Sequence, residues 1–187
     1  MEDEVKKCAK LLSEGKVILY PTDTVWGIGC DATNPDAVRK LYQLKERDTS
    51  KQMLILTDNI SRISGYVNEM PDLAWDLIEI SDKPLTIIYS GAKNIAPELI
   101  SPDGCIGIRV TNESFSQSLF SRLKKPIVST SANKSGEPTP RTFSEISDEV
   151  KAMVDYVVDY RRNETEIRKP SSIIRLGVRG EIEIIRK

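Results

Sequence analysis

Two patterns of apolar residues alternate along the chain. In one, apolar side chains recur every three or four positions, which is typical of an amphipathic helix; in the other, short and nearly continuous apolar runs indicate buried strands. The helical pattern covers residues 4–14, 35–45, 59–67, 71–80, 113–125 and 143–153. The strand pattern covers residues 16–21, 53–57, 85–89, 105–110, 126–130, 154–160, 171–176 and 181–186.

Several predicted elements carry local boundary signals. Gly15 stands where a left-handed glycine commonly follows the end of a helix. Asn34 is a candidate N-cap and Pro35 a candidate first helical residue, because the missing N–H of proline has no partner in that position anyway. Pro71 opens a later helix in the same way. The last two strands flank Gly-Val-Arg-Gly at 177–180, which predicts a hairpin.

The order of these elements predicts the fold class. Helices and strands mostly alternate, which favours an α/β fold with a twisted mixed β-sheet and flanking helices. The chain has 187 residues, a length typical of one domain, so residues 1–187 are expected to form a single domain. The turn-rich segment 131–142 is the longest stretch without a predicted element.

Composition excludes several classes of function. The 27 basic and 28 acidic residues give a net charge of −1, so contact with nucleic acid would need a local basic patch. The chain has no histidine, which excludes Ser-His and Cys-His nucleophilic dyads and the commonest metal ligand. Any chemistry must use Lys, Arg, Ser, Thr, carboxylates or a bound metal.

The cysteines and the apolar runs indicate a cytoplasmic protein. Cys8, Cys30 and Cys105 are odd in number and lack metal-site spacing, so we interpret them as reduced core residues. No apolar run approaches the roughly 20 residues of a membrane span. The acidic, amphipathic N-terminus does not resemble a secretory signal, so export is not expected.

Two threonines follow the first strand in the segment YPTDTVWG. Thr22 and Thr24 are two positions apart, so in an extended backbone both hydroxyls project to one side, and Gly27 then allows a close turn. Taken alone, this fragment is better explained by a strand exit with a local cap.

The segment LKERDTSKQ holds a second candidate group. Asp48, Thr49 and Ser50 are poor helix formers, which predicts an extended exit that places Lys45 and Arg47 on one face. Such a pair suits a carboxylate or phosphate, with Arg binding in a bidentate manner and Lys acting as a mobile charge. Taken alone, two cations here are typical of a solvated helix end.

A third group follows another strand, in the segment IVSTSANKSG. Ser129, Ser131 and Asn133 alternate where the strand ends, and α/β sheets bind ligands at such ends. The alternative is a set of local turn caps. Arg109 lies inside an apolar strand and needs either a ligand or a structural ion pair. Neither G-x-G-x-x-G nor a P-loop motif is present, so any ATP site lacks both fingerprints.

Five segments in order resemble the YrdC family of threonylcarbamoyl-AMP synthases. They are YPTDTVWGIGCDA, LKERDTSKQMLIL, CIGIRV, STSANKSGEPTP and PSSIIR, and the resemblance spans the chain from about Gly15 to Arg186. It implies a YrdC-like fold with a large electropositive cavity. It also implies ATP-dependent condensation of L-threonine and bicarbonate to threonylcarbamoyl-AMP with release of pyrophosphate, with Mg²⁺ assisting. A separate tRNA threonylcarbamoyl transferase complex then uses the product.

The resemblance also implies roles for individual residues. Lys45 and Arg47 match the family K-x-R, Ser131 and Asn133 match S-x-N, and Arg109 matches a strand arginine. The implied catalytic residues are Lys45, Arg47 and Arg109. The implied ATP-binding residues are Lys45, Arg47, Ser129, Ser131, Asn133 and Arg186. The implied threonine-binding residues are Thr22, Thr24, Arg109 and Ser131.

The sequence departs from the family pattern in four places, one of which is KPLTII at 83–88 where the family has GPxT. Trp26 replaces the usual Tyr, Gln52 replaces a proline, and Thr111 replaces the proline after the arginine strand. A divergent paralogue of the YciO type is therefore an alternative. Two further alternatives are a non-catalytic module that binds tRNA or double-stranded RNA, and a carbamoyl-transfer domain like that of hydrogenase maturation factors. Weak RNA binding is also compatible with the synthase.

Overall fold

The computed structural model describes residues 1–187 and contains five α-helices. These are α1 (Glu2–Ser13), α2 (Pro35–Leu44), α3 (Asp72–Glu79), α4 (Ser114–Leu123) and α5 (Asp148–Met153). Three 3₁₀ segments lie at Ile60–Gly65, Pro97–Leu99 and Phe143–Glu145. None of the helices combines the length and the apolar character that a membrane span requires.

Nine strands form one mixed sheet. They are β1 (Ile18–Tyr20), β2 (Gly27–Gly29), β3 (Leu54–Thr57), β4 (Leu85–Tyr89), β5 (Ile106–Val110), β6 (Ile127–Ser131), β7 (Tyr156–Val157), β8 (Ser172–Leu176) and β9 (Ile182–Arg186). Their order is β7-β1-β2-β6-β3-β5-β4-β8-β9. The pairs β1–β7, β3–β5 and β4–β8 are parallel and the others antiparallel. The predicted α/β class with a mixed sheet is confirmed.

The local helix signals are also confirmed. The Asn34 side chain accepts hydrogen bonds from the backbone N–H groups of Asp36 and Ala37, and Pro35 is the first residue of α2. Gly15 follows α1 with φ +75°, a left-handed conformation that glycine adopts without steric cost.

One face of the sheet is covered across its central strands. Five central strands each contribute one β-branched residue to a continuous apolar cluster with α2 and α3, in which all five are buried: Ile28, Ile55, Ile87, Ile108 and Val128. The second face is covered only in part. There α1 and α4 pack together and bury Leu56 and Ile127, which are paired across β3 and β6. The next pair on that face, Leu54 and Ser129, lies beyond the two helices.

Three predicted elements differ from the structure, and one observed strand was not predicted. Residues 60–65 form a 3₁₀ segment, and the predicted helix 143–153 is split into a 3₁₀ turn and α5. Strand β2 was not predicted, because its sequence Gly-Ile-Gly has no strand pattern. The strand expected over 154–160 pairs only at Tyr156–Val157, so the irregular segment 158–171, not 131–142, is the longest.

Candidate active site

A cavity of about 350 Å³ lies on the uncovered part of the second sheet face. Alternate residues of several strands form its floor, since side chains two apart on a strand share a face. Ser129 and Ser131 contribute from β6, and Gly107 and Arg109 from β5. A Cβ on Gly107 would lie 3.4 Å from Leu54 and Thr86, so the floor is already close-packed at that point.

The cavity wall is electropositive. It contains four arginines and no Asp or Glu: Arg47, Arg109, Arg175 and Arg186. Two of them have a carboxylate partner outside the wall, at 2.9 Å for Arg109–Asp23 and 2.7 Å for Arg175–Asp103. The other two form no ion pair and donate hydrogen bonds only to backbone carbonyls. The wall therefore carries positive charge that the protein does not neutralise.

Arg109 is the most deeply buried of the four, at 3% exposure. Its Nη2 donates to Thr24 Oγ1 at 3.2 Å and lies 2.9 Å from Asp23 Oδ1. Its Nε has no hydrogen-bond partner in the protein. The protein therefore contacts the guanidinium on one side only. This arrangement is compatible with both hypotheses for Arg109, a structural ion pair and contact with a ligand.

The exit of α2 is not extended, which corrects the sequence-based prediction. Lys45 is still helical, Glu46 adopts φ +50°, and the N–H of Arg47 donates to the carbonyl of Tyr42 at 3.0 Å. The N–H of Glu46 also donates to Gln43, which completes a Schellman-type helix end. Because the chain reverses direction at Glu46, Lys45 and Arg47 do not lie on one face of an extended segment as predicted.

Lys45 and Arg47 occupy two layers of the wall. Arg47 lines the cavity, with Nε donating to the carbonyl of Lys51 at 2.7 Å. Lys45 does not line it: the side chain is 1% exposed and donates to the carbonyl of Ser131 from behind. Burial, together with the nearby Arg47 charge, lowers the pKa of Lys45 to about 7.

The serine and asparagine group shows the same division. Ser129 and Ser131 line the cavity, whereas Asn133 lies behind them. The Ser131 hydroxyl donates to the Asn133 side-chain oxygen, and the Asn133 amide donates to the carbonyl of Glu137 at 2.6 Å. Asn133 therefore does not line the cavity and holds the Ser131 hydroxyl instead, while its predicted contact with ATP stays a prediction.

Thr22 and Thr24 are also divided. Their hydroxyl oxygens lie 3.0 Å apart, as expected for side chains on one side of the chain. Only Thr24 lines the cavity. The Thr22 hydroxyl donates to Val25 at 2.7 Å and accepts from the N–H of Thr24 at 3.0 Å, so Thr22 holds the loop and does not face a ligand.

Strands β8 and β9 supply the far wall. Arg186 lines the cavity as predicted and donates to the carbonyl of Ser171 at 2.7 and 3.0 Å. Burial, and to a smaller extent the Arg109 charge, lowers the pKa of Arg186. Arg175 was missed, although the alternation of Ile173 and Arg175 on β8 placed both on one face. All three cysteines are free and buried as expected, and Cys105 in addition borders the cavity.

The residues of this wall do not fit a Mg²⁺ site. Mg²⁺ prefers carboxylate oxygens, and the wall has none. No group of three His, Cys, Asp or Glu side chains that could hold a metal ion occurs in the chain.

Comparison with known proteins identifies the family. The Sua5/YciO/YrdC family model, which is described as telomere recombination, matches residues 10–187. The threonylcarbamoyl-AMP synthase of Photobacterium profundum is 33% identical over 184 residues, which cover 94% of this chain and 100% of that protein. The chain belongs to the Sua5/YciO/YrdC family. A putative threonylcarbamoyl-AMP synthase of Methanocaldococcus jannaschii is 37% identical over 182 residues, covering 94% of this chain and 83% of that one.

Solved structures share the fold. P. abyssi Sua5 complexed with L-threonine superimposes with a TM-score of 0.84 at 22% identity, covering 94% of this chain and 52% of that chain. E. coli YciO gives 0.84 at 22% identity, covering 100% and 90%. HypF in the phosphate- and nucleotide-bound form gives 0.82 at 22% identity, covering 98% and 28%. At such identities the likeness establishes the fold alone.

Proposed function

We propose that this protein is a threonylcarbamoyl-AMP synthase that condenses L-threonine, bicarbonate and ATP and releases pyrophosphate. Residues 1–187 act as one domain in this proposal, since the nine strands form one sheet. The relatives that carry this name match almost the whole chain at about one third identity. The observation that carries the proposal is the cavity with four arginines and no carboxylate, because the reaction brings together polyanionic ATP and the threonine carboxylate.

Positioning and charge account for the chemistry. Threonine and bicarbonate combine to N-carboxy-threonine with loss of water, and its carboxylate oxygen attacks the α-phosphorus of ATP. The bond from that phosphorus to the bridging oxygen then breaks, and pyrophosphate leaves. Negative charge on the phosphoryl oxygens is stabilised by the arginines that the fold holds in the cavity wall. No covalent nucleophile is required, which agrees with the lack of histidine.

Individual side chains take distinct parts. Arg47 and Arg186 bind phosphate oxygens, since neither has a carboxylate partner. Arg109 binds the threonine carboxylate beside the Thr24 hydroxyl. Ser129 donates a hydrogen bond to phosphate from the cavity floor, and Ser131 does so once its hydroxyl turns away from the Asn133 side-chain oxygen.

Three further residues hold these side chains in place and do not themselves contact the substrates. Lys45 and Asn133 are positioning residues, because both hold Ser131 from behind the wall. Thr22 positions Thr24 in the same manner. The wall supplies no ligand for Mg²⁺, so any Mg²⁺ in the reaction would be held by the phosphates of ATP.

The product has a defined fate in this proposal. Threonylcarbamoyl-AMP passes to a separate tRNA threonylcarbamoyl transferase complex in the cytoplasm, which modifies certain tRNAs. Direct binding of tRNA or double-stranded RNA is not needed for synthesis.

Pyrophosphate release tests the proposal. We expect the purified chain to release pyrophosphate from ATP only when both L-threonine and bicarbonate are present. Arg47→Ala should lower kcat/KM by about 10² to 10³, in line with the loss of one transition-state donor. Lys51→Ala is the matched control, since Lys51 is an exposed neighbouring cation outside the cavity.

The same assay separates the alternatives. A chain that binds RNA with strong salt dependence but releases no pyrophosphate would be an RNA-binding module. A chain that releases pyrophosphate independently of threonine would have a different substrate, as expected of a YciO-type paralogue. Equal activity of the Arg47→Ala and Lys51→Ala variants would contradict the assigned site.

A further inference from the structure

Strand β9 forms an open edge of the sheet. It is the last strand in the sheet order and pairs only with β8, so its outer N–H and C=O groups have no strand partner. All five of its residues are exposed. The opposite edge is the two-residue strand β7, which is too short to offer a comparable row of groups. An open edge of this length is a template for pairing with another strand.

The side chains of β9 are unusually apolar for an exposed edge. Ile182, Ile184 and Ile185 are 51%, 59% and 48% exposed. Val178 in the adjoining turn is 46% exposed. Edge strands usually carry lysine or proline near their centre, which discourages pairing, and β9 has neither. Contiguous exposed apolar residues of this kind mark an interaction surface.

The charges at the two ends of this strand favour a second copy of the chain as its partner. Glu181 precedes the strand and Glu183 lies in its first half, whereas Arg186 ends the strand and Lys187 follows it. In an antiparallel pair with a second copy, Glu183 lies opposite Ile185 and Arg186 stays in its own cavity wall, so the opposite charges that meet are those of the two flanking positions. With Ile184 of both copies at the centre, Glu181 lies opposite Lys187 twice. A parallel pair would place like charges together, which is unfavourable.

We propose that two copies of this chain associate by antiparallel pairing of their β9 strands around a two-fold axis at Ile184. Such a contact is self-complementary, since the same surface serves both copies. It continues the nine-stranded sheet across the axis, satisfies the open backbone groups and covers the isoleucines. The cavity lies within each copy and does not need the pairing to be complete.

Sedimentation velocity of the full chain over a wide range of protein concentration tests this proposal. We expect the weight-average mass to rise toward twice that of one chain. Ile184→Lys puts two like charges opposite each other and should raise the dimer dissociation constant by about tenfold or more. Ile80→Lys is the matched control, because Ile80 is an exposed isoleucine at the end of α3 and not on the edge; it should leave the constant unchanged.

A charge exchange distinguishes the proposed register from a general effect of mutation. Lys187→Glu should weaken the dimer by placing Glu opposite Glu, and Glu181→Lys should weaken it by placing Lys opposite Lys. The double variant Glu181→Lys/Lys187→Glu restores both pairs and should recover most of the affinity. A chain that remains monomeric at every concentration overturns the proposal. So does a dimer that Ile184→Lys and Ile80→Lys affect equally, or one that the double variant fails to restore.

Discussion

Lys45 is a charged residue that the fold buries without a carboxylate partner. The only acceptor for its ammonium group is the carbonyl of Ser131, and burial with the nearby Arg47 lowers its pKa to about 7 from 10.5. The charged form therefore destabilises the folded protein. Anionic ATP in the adjacent cavity would favour the charged form of Lys45. The lysine that lowers the stability of the folded protein would then strengthen ATP binding.

This cost predicts a stabilising substitution. Lys45→Met keeps the aliphatic volume and removes the buried charge, so at pH 6 it should raise the free energy of unfolding by about 2 kcal/mol, allowing for the lost hydrogen bond. Between pH 7 and 10.5 only the unfolded chain keeps the lysine proton, so wild-type stability rises with pH across this window. The gain should therefore shrink toward pH 10, as measured by urea unfolding. A gain that does not depend on pH would mean that packing, not charge, causes it.

Two Arg–Asp pairs at the same cavity differ in burial and should differ in strength. The Arg109–Asp23 pair is largely buried, so Asp23→Asn leaves an uncompensated guanidinium and should cost about 3 kcal/mol of unfolding free energy. The Arg175–Asp103 pair is about half exposed, so Asp103→Asn should cost less than about 1 kcal/mol. Chemical denaturation of both variants measures the difference. Equal losses would show that Asp23 does not hold Arg109 through its charge.

At the scale of elements, the C-terminus of α2 orients the candidate site. Glu46 occupies the left-handed position of the helix end, where glycine is favoured, and its side chain is mostly exposed. Glu46→Gly should raise the free energy of unfolding by about 0.5 to 1 kcal/mol, and Glu46→Val should lower it by at least as much, because a β-branched residue is strained there. Thermal unfolding measures both changes. Pyrophosphate release by the glycine variant should stay at the wild-type level, and a large loss would show that Glu46 has a role beyond turn geometry.

The two ends of α2 show which elements can be predicted from sequence. Its start was predicted to the residue, because Asn34 and Pro35 are strong local signals. Its end was predicted as extended, because a glutamate at the left-handed position gives no signal that a reversal occurs. Strand β2 was missed for a related reason: Gly-Ile-Gly becomes a strand only through its neighbours, and a Cβ on Gly29 would lie 2.2 Å from the carbonyl oxygen of Val128. Tertiary contact decides the strand, whereas local hydrogen bonds that the sequence does not signal decide the helix end.

At the scale of the whole molecule, the cavity gathers arginines from four separate parts of the chain. Arg47 follows α2, Arg109 lies in β5, Arg175 in β8 and Arg186 at the end of β9. Three of these were expected from the resemblance to a family, and none from periodicity alone. Arg175 could have been found from strand alternation, but only with the knowledge that this face of β8 meets the cavity. Sequence therefore predicted the class of fold and named most of the polar side chains that meet at the cavity, whereas the division into wall and supporting layer required the structure.

Because the positive charge of the cavity is not neutralised by the protein, a bound anion should raise the free energy of unfolding. Because the wall has four arginines, two ion pairs and no carboxylate, bound phosphate groups should remove repulsion that the empty fold retains. At a free ATP concentration 100 times its dissociation constant, the free energy of unfolding should rise by about 2.7 kcal/mol. Scanning calorimetry should show that tripolyphosphate alone raises Tm, that adenosine at the same concentration raises it far less, and that Arg47→Ala reduces the shift with ATP. If adenosine stabilised the chain as much as ATP does, the nucleoside and not the phosphate chain would provide the binding energy, and the arginine wall would have another purpose.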